Sequence, residues 1–438
     1  MKATGLDLGA QAGYGVGQIA GQVFRDVPSL LLLFFMTSVL GIEAAVAGAA
    51  IFVPKLVWGV LCDVTIGVLS DRWKEKMQRR WWLVIGAIGT PIALLLLFHV
   101  PNGSTSMRVA YMAGAFSLYM AVFASFSVPY LAIAGELSSD PQQRTVLMAW
   151  RLVFTSFGVL VSGALAPMLV QANGGGQPGY EAMAVVLAII CPVALILSFF
   201  GIGRAMKQSS VVADSAPRAR RSMGNAIKTL AVPRFSILFG INMLQLAGQG
   251  MAYAAMLYFL TYNMGRMDAL QQTGMIVMTM CAGIILAQPM WVKLAARMGK
   301  RPVYCIAALL HLAMYVIWAF VPQAPLWVIY TLAFCAAVGN SGWAMLGFSM
   351  LADVAGEDEH HAGLYSAAWV AADKIGFALG GTLLIGLVLS GFGFDSARAV
   401  AGLPQSESAL LGVMLAFALL PAAMNLLAVG IFAKWGRN

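Results

Sequence analysis

Apolar runs long enough to cross a bilayer recur twelve times along this chain, and they leave little room for anything else. They fall at about 14–40, 43–70, 81–100, 108–135, 144–171, 181–203, 236–262, 269–294, 302–321, 326–352, 362–391 and 407–433. About 20 apolar residues in a helix cross the roughly 30 Å of hydrocarbon. Several runs are nearer to 27 residues, which implies tilted helices. Only 10% of the 438 residues are charged, against about 25% in soluble proteins, and the mean hydropathy is +0.82. The chain is therefore read as an all-α membrane protein with twelve transmembrane helices.

The net charge of +9 raises the question of a nucleic-acid partner, and its distribution answers it. With the N-terminus placed in the cytoplasm, only Arg108, Arg266 and Arg398 fall outside, and four Lys or Arg lie within helices. The remaining twenty fall in cytoplasmic loops and tails. That asymmetry is the positive-inside pattern. It predicts a multi-pass protein of the cell inner membrane with both termini cytoplasmic, the lipid bilayer as its partner, and no nucleic acid. Asp7, with no basic run ahead of a short apolar core, gives no expectation of a signal peptide. The five cysteines, Cys62, Cys191, Cys281, Cys305 and Cys335, follow no metal or redox spacing.

One basic, Ser- and Pro-containing stretch, 204–234, divides the twelve runs six and six. The expected organisation is an N-terminal six-helix bundle at 1–203, a cytoplasmic basic linker at 204–234, and a C-terminal six-helix bundle at 235–438. Two parallel repeats need such a linker. A short basic turn after the second run, Gly67-Val-Leu-Ser70-Asp71-Arg72, is echoed after the eighth by Gly299-Lys300-Arg301. Asp71 and Arg72 are expected to pair across helix ends as a cytoplasmic gate.

Seven ionisable side chains sit inside the apolar runs: Arg25, Asp26, Lys55, Asp63, Arg151, Asp373 and Lys374. Each costs about 2.5–3.5 kcal/mol at a helix centre, so such residues face a partner or a watery cavity and mark solute or ion pathways. Gln11, Gln18, Gln22 and Arg25 share one face of the first helix, Asp26 widens it, and Pro28 weakens the helix beyond. Lys55, Gly59 and Asp63 step by four along the second helix. Asn242, Gln245, Gln249 and Tyr253 form a stripe on the seventh, with Asn340 and Trp343 on the tenth. Asp373 and Lys374 point about 100° apart. Arg25 with Asp63 and Lys374 with Asp26 are open pairings. His311, alone in the ninth helix, reads as a structural hydrogen bonder. No phosphate-binding Gly-x-x-x-x-Gly-Lys loop is present, and no enzyme, cofactor or metal site is expected.

In order and spacing, several motifs point the same way: Tyr14-Gly15-Val16-Gly17, Asp63-Val-Thr-Ile-Gly67-Val-Leu-Ser70-Asp71-Arg72, Val128-Pro129-Tyr130 through Gly135-Glu136-Leu137 to Trp150-Arg151, Asp353-Val354, Lys374-Ile-Gly376 and Gly391-Phe-Gly393-Phe394-Asp395. The chain resembles the glycoside–pentoside–hexuronide:cation symporters of the major facilitator superfamily, the group that contains melibiose permease. The resemblance covers nearly the whole chain. It implies two pseudo-symmetric six-helix bundles, alternating access, and solute uptake driven by H⁺, Na⁺ or Li⁺.

The resemblance also assigns residues. Asp63 falls at a cation-site carboxylate, and Arg151 and Lys374 at basic positions that organise the sugar and cation sites. The family's second cation-site carboxylate is Gly59 here, its fourth-helix sugar Asp and Trp are Ser127 and Leu131, and its first-helix sugar Asp is Gln22. One remaining carboxylate suits a proton better than a hard cation that wants several oxygens. The leading expectation is a monomeric symporter of a small organic solute such as a sugar, glycoside or uronate, coupled to H⁺ ahead of Na⁺. Asp63 would couple the cation; Gln22, Asp26, Arg151, Asn242, Gln249 and Lys374 would contact solute; and Arg25, Lys55 and Asp373 would complete a charge network. Two alternatives stay open: a transporter or exporter of an amphipathic compound (lysolipid, siderophore or drug), and a non-transporting membrane assembly factor.

Overall fold

The computed structural model of the chain describes residues 6–73, 76–138, 141–208, 233–321, 323–357 and 362–435. All regular structure among them is helical. Twelve long helical runs follow in order: α1 (8–39), α2 (44–72), α3 (Trp81–Phe98), α4 (Thr105–Leu137), α5 (141–172), α6 (Gly176–Gln208), α7 (233–263), α8 (Ala269–Met298), α9 (Lys300–Phe320), α10 (Leu326–Glu357), α11 (362–391) and α12 (407–435). Ten of them are long and apolar enough to cross a membrane. The other two, α1 and α7, are the first of each group of six and carry the glutamine and asparagine stripes.

Chain proximity gathers these helices into two compact units. One holds residues 1–42 and 50–217, the other 43–49 and 218–438. The short 43–49 segment joins the second unit through small residues: a Cβ on Gly48 would come within 2.5 Å of Thr382 O. Of the expected linker, 204–208 continue α6 and 233–234 open α7, while 209–232 lie outside the described residues.

Helix contact in lipid relies on small residues that let backbones approach. In the first unit, α1 meets α6 where Gly13 faces Gly201, and a Cβ at Gly13 would lie 2.6 Å from the Gly201 Cα. It meets α5 at Gly158, where a Cβ would lie 2.5 Å from Gln22 Cβ. In the second unit, α7 packs on α11 at Gly250, whose added Cβ would lie 2.3 Å from Phe377 O. Elsewhere apolar side chains point outward, as at Ile88 on α3, Phe200 on α6 and Leu286 on α8, the surface a lipid solvent requires.

The helices are irregular at matching places. π-helical turns interrupt α1 at Pro28–Leu32 and Phe35–Val39, α5 at Val161–Leu165, α7 at Phe259–Asn263 and α11 at Leu379–Leu384. Thus the first and fifth helices of each group share the feature. Others lie at Pro54–Trp58 in α2 and Leu415–Leu419 in α12. Pro28 and Pro54 open their turns, since proline lacks the N–H that a regular helix would bond. Such turns free carbonyls and recur at functional sites.

Candidate functional site

The polar stripe of α1 faces α5. Trp150 Nε1 donates to Gln11 Oε1 at 3.1 Å, and Arg151 Nε donates to Gln18 Oε1 at 2.8 Å. One turn on, Gln22 Nε2 donates to Asp26 Oδ2 at 2.8 Å. Ser162 Oγ, in the π-helical turn of α5, lies 3.3 Å from the same oxygen. Gln22 and Asp26 are 6% and 7% exposed, so these bonds form away from solvent. The tight α1–α5 approach at Gly158 sets their register.

Cations surround the carboxylate. Arg25 Nε lies 3.8 Å from Asp26 Oδ1. Lys55 Nζ, in the π-helical turn of α2, donates to Ser29 Oγ at 3.2 Å, and Ser29 in turn donates to Arg25 O at 2.8 Å. Tyr119 on α4 stacks on Phe24 with centroids 4.1 Å apart and donates to Phe24 O at 3.2 Å. Five expected residues, Gln22, Arg25, Asp26, Lys55 and Arg151, are thus drawn into one region of the first unit. Asp63, further along α2, is half-buried among exposed neighbours such as Leu61 and Val64.

The second unit has neutral chemistry in its interior. Gln245 Nε2 donates to Asn425 Oδ1 at 2.8 Å, Asn425 Nδ2 donates to Ala308 O at 2.8 Å, and the Tyr304 hydroxyl donates to Gln245 Oε1. Trp343 Nε1 donates to His311 Nδ1 at 3.0 Å. Asn242 and Asn340 are 6% and 9% exposed, and Asn242 Nδ2 and Asn340 Oδ1 have no hydrogen-bond partner among the described residues. Gln249 and Asp373 are half-buried and Lys374 is exposed.

At the basic-loop end each unit ties the end of its fourth helix to a basic side chain just before or at the start of its third. In the first unit Arg79 bonds both Asp71 and Glu136, while Arg72 is exposed. In the second, Lys300 Nζ lies 2.6 Å from the Asp353 carboxylate. Arg79 therefore takes the position opposite Asp71 that sequence order suggested for Arg72. Ser162 and Ser29 also escaped the sequence reading. Ser162 lies eleven residues after Arg151, about three helical turns, so a same-face search from Arg151 would have found it.

A family model described as MFS/sugar transport protein matches residues 13–434. The chain belongs to that family. Among curated relatives, the inner membrane symporter YicJ of Escherichia coli is 25% identical, over 99% of this chain and 92% of its own length. The isoprimeverose transporter of Lactiplantibacillus pentosus is 27% identical, over 93% of this chain and 84% of its own. A bacterial homolog of the human lysosomal transporter Spinster, solved inward-facing and unoccupied, superimposes with a TM-score of 0.70. It is 13% identical and covers 97% of both chains, a likeness of fold alone. This is a family of membrane transporters rather than enzymes, and the protein has the major facilitator fold.

Within the MFS/sugar transport family frame, Gly59 stands where a second cation-site carboxylate was expected. A Cβ there would lie 2.8 Å from the Met120 terminal methyl of α4, so an apolar side chain fills that direction. Ser127 is half-buried and Leu131 is 47% exposed. Among the described residues of the first unit the buried carboxylate is Asp26, one turn beyond Gln22.

Proposed function

We propose that the protein is a proton-coupled secondary transporter of a sugar-like solute, working by alternating access, with glycosides and uronates as the leading class. The observation that carries this reading is the α1–α5 contact. Arg151 is oriented by Gln18, and the buried Asp26 lies one to two turns further along, bonded by Gln22 and flanked by Arg25 and Lys55. A guanidinium held from one side keeps its other donors for solute hydroxyls or a carboxylate.

In this account Gln22, Asp26 and Arg151 contact solute from the first unit. Asn242, Gln249 and Lys374 are further solute contacts in this account, and Asn242 Nδ2 is buried with no acceptor among the described residues. Arg25, Lys55 and Asp373 set the charge balance. Asp63 carries the coupling proton at the position the resemblance assigns. A proton needs one carboxylate, whereas Na⁺ would want several oxygens where Met120 now packs. The protein acts as a monomer with both termini in the cytoplasm, as the basic loops direct. The Asp71–Arg79–Glu136 and Lys300–Asp353 pairs then close its cytoplasmic side.

The test is uptake into vesicles reconstituted with purified protein, using labelled isoprimeverose and a labelled glucuronide under inward H⁺ or Na⁺ gradients. Accumulation driven by H⁺, and lost in Asp63→Asn, is expected. Intact ion-driven uptake in Asp63→Asn would end the coupling role given to that residue. No uptake of any sugar, together with stabilisation by a lysolipid, would move the cargo to the amphipathic class.

A further inference from the structure

We propose that Asp26 is a proton-binding site of its own, and that Ser162 at the π-helical turn of α5 reads its protonation state. The inference deepens the proton-coupled reading above and rests on it, but its test needs no transported solute.

The argument is a count of hydrogens. A serine hydroxyl has one proton to give and two lone pairs. Ser162 Oγ has three acceptors around it: Gly158 O at 2.8 Å, Val159 O at 3.3 Å and Asp26 Oδ2 at 3.3 Å. Its proton goes to one of them. Against an ionised Asp26, the hydroxyl must turn toward the carboxylate and release Gly158 O. Against a protonated Asp26, the carboxyl donates to the Ser162 lone pair, and the hydroxyl proton returns to Gly158 O at the shorter distance. The spacing accommodates both states, and the difference between them is one hydroxyl rotation.

The other partner is equally reversible. Gln22 donates to Asp26 Oδ2 through Nε2, and turning its amide presents an oxygen instead. Compare Asp268, outside the membrane-spanning runs, which is gripped by Arg266 through two bonds of 2.9 Å. Guanidinium only donates, so that carboxylate is held ionised. Arg25 Nε stands 3.8 Å from Asp26, beyond hydrogen-bond length, and imposes no such lock.

Charged and titratable groups act on Asp26 from neighbouring helices, Arg25 on α1, Lys55 on α2 and Tyr119 on α4; beyond them Arg151 on α5 bonds Gln18 and Cys191 on α6 lies near Tyr119. Protonating Asp26 adds one unit of positive charge to this set. A proton there and an anionic group such as a uronate carboxylate therefore favour each other's binding, as linkage requires. Releasing or engaging Gly158 O acts on the turn where α5 leaves regular geometry, beside the closest α1–α5 approach. Ser162 is thus a positioning residue that connects the proton to helix contact.

The experiment is an infrared pH titration of the protein reconstituted in phosphatidylethanolamine–phosphatidylglycerol vesicles, following the carbonyl stretch of a protonated carboxyl. The expected result is a band, separate from any that Asp63→Asn removes, that grows as pH falls, disappears in Asp26→Asn, and shifts in frequency in Ser162→Ala. Should Asp26→Asn fold poorly, the Ser162→Ala shift decides alone. Persistence of the band in Asp26→Asn, its loss in Asp63→Asn instead, an unshifted band in Ser162→Ala, or no titrating band would each overturn the proposal. A negative solute panel with a titrating Asp26 band would sink the transport reading and leave this one standing; the reverse pattern would do the opposite.

Discussion

In the first unit buried polar groups gather around a carboxylate, Asp26, with Arg25 and Lys55 nearby and Arg151 bonded to Gln18 on the same helix. In the second unit the corresponding interior holds amides, a phenol, an indole and an imidazole: Gln245, Asn425, Tyr304, Trp343 and His311. The two units nonetheless share architecture, with π-helical turns in the first and fifth helix of each group and an ion pair that ties the fourth helix to the basic side chain just before or at the start of the third. The repeat therefore supplies the scaffold twice, while the chemistry has separated. The bonded interior of one unit centres on a buried carboxylate, Asp26, whereas these interior bonds of the other join amides, aromatic groups and a carbonyl. Neutral hydrogen bonds in membranes average about 0.6 kcal/mol, which suits cement; an ion in the same place needs a function to justify its cost.

The largest expected effect tests the neutral side. Gln245→Ala strips Tyr304 and Asn425 of a buried partner, and each orphaned group costs about 1–3 kcal/mol. Thermal unfolding of the purified protein should show the loss, while the pH profile of uptake stays where it was. A moved pH profile would break the division of labour between units. Next comes Arg151→Ala in the first unit, which removes a charged hydrogen-bonding group worth about 1.5–3 kcal/mol. Solute affinity should fall about tenfold or more, with a smaller change in unfolding temperature. Trp343→Phe deletes the donor to His311 at a cost of about 1 kcal/mol, read by unfolding temperature alone, again without shifting the pH profile.

The smallest effect concerns the loop before α8. Arg266 and then Gln272 bond the Asp268 carboxylate and hold it below the usual range for an aspartate. A depressed folded-state value stabilises the fold above the unfolded pKa, and that contribution is lost as pH falls through the folded one. The side chain is about one-third exposed, so solvent screening keeps the effect below about 1 kcal/mol. Asp268→Asn should therefore lower the unfolding temperature slightly near neutral pH and match the parent in acid.

Much of this fold lay open in the sequence because membrane helices announce themselves by length and hydropathy, and a stripe such as Gln11, Gln18 and Gln22 fixes which face of α1 meets a neighbour. Buried charge likewise pointed to Arg25, Asp26, Lys55 and Arg151 before any contact was known. Three things stayed hidden for physical reasons. Ser162 looks like any serine that back-bonds its own helix, and only the fold brings Asp26 to it. Arg79, rather than Arg72, reaches Asp71 because the loop before α3 folds back, which no periodicity encodes. The π-helical turn at Leu379–Leu384 has no proline in or beside it, whereas Pro167 lies just past the one at Val161–Leu165. Gly59 misled in another way: the missing carboxylate could be read, but Met120 filling its place could not.

The central claim, that the ionisable unit moves protons with solute, is tested most directly in vesicles loaded with weak buffer and a pH indicator outside. Adding isoprimeverose or a glucuronide without any imposed gradient should turn the outer medium alkaline as protons enter with the solute, and an uncoupler should abolish the signal. Solute entry with no change in external pH, or entry that requires Na⁺, would contradict the account.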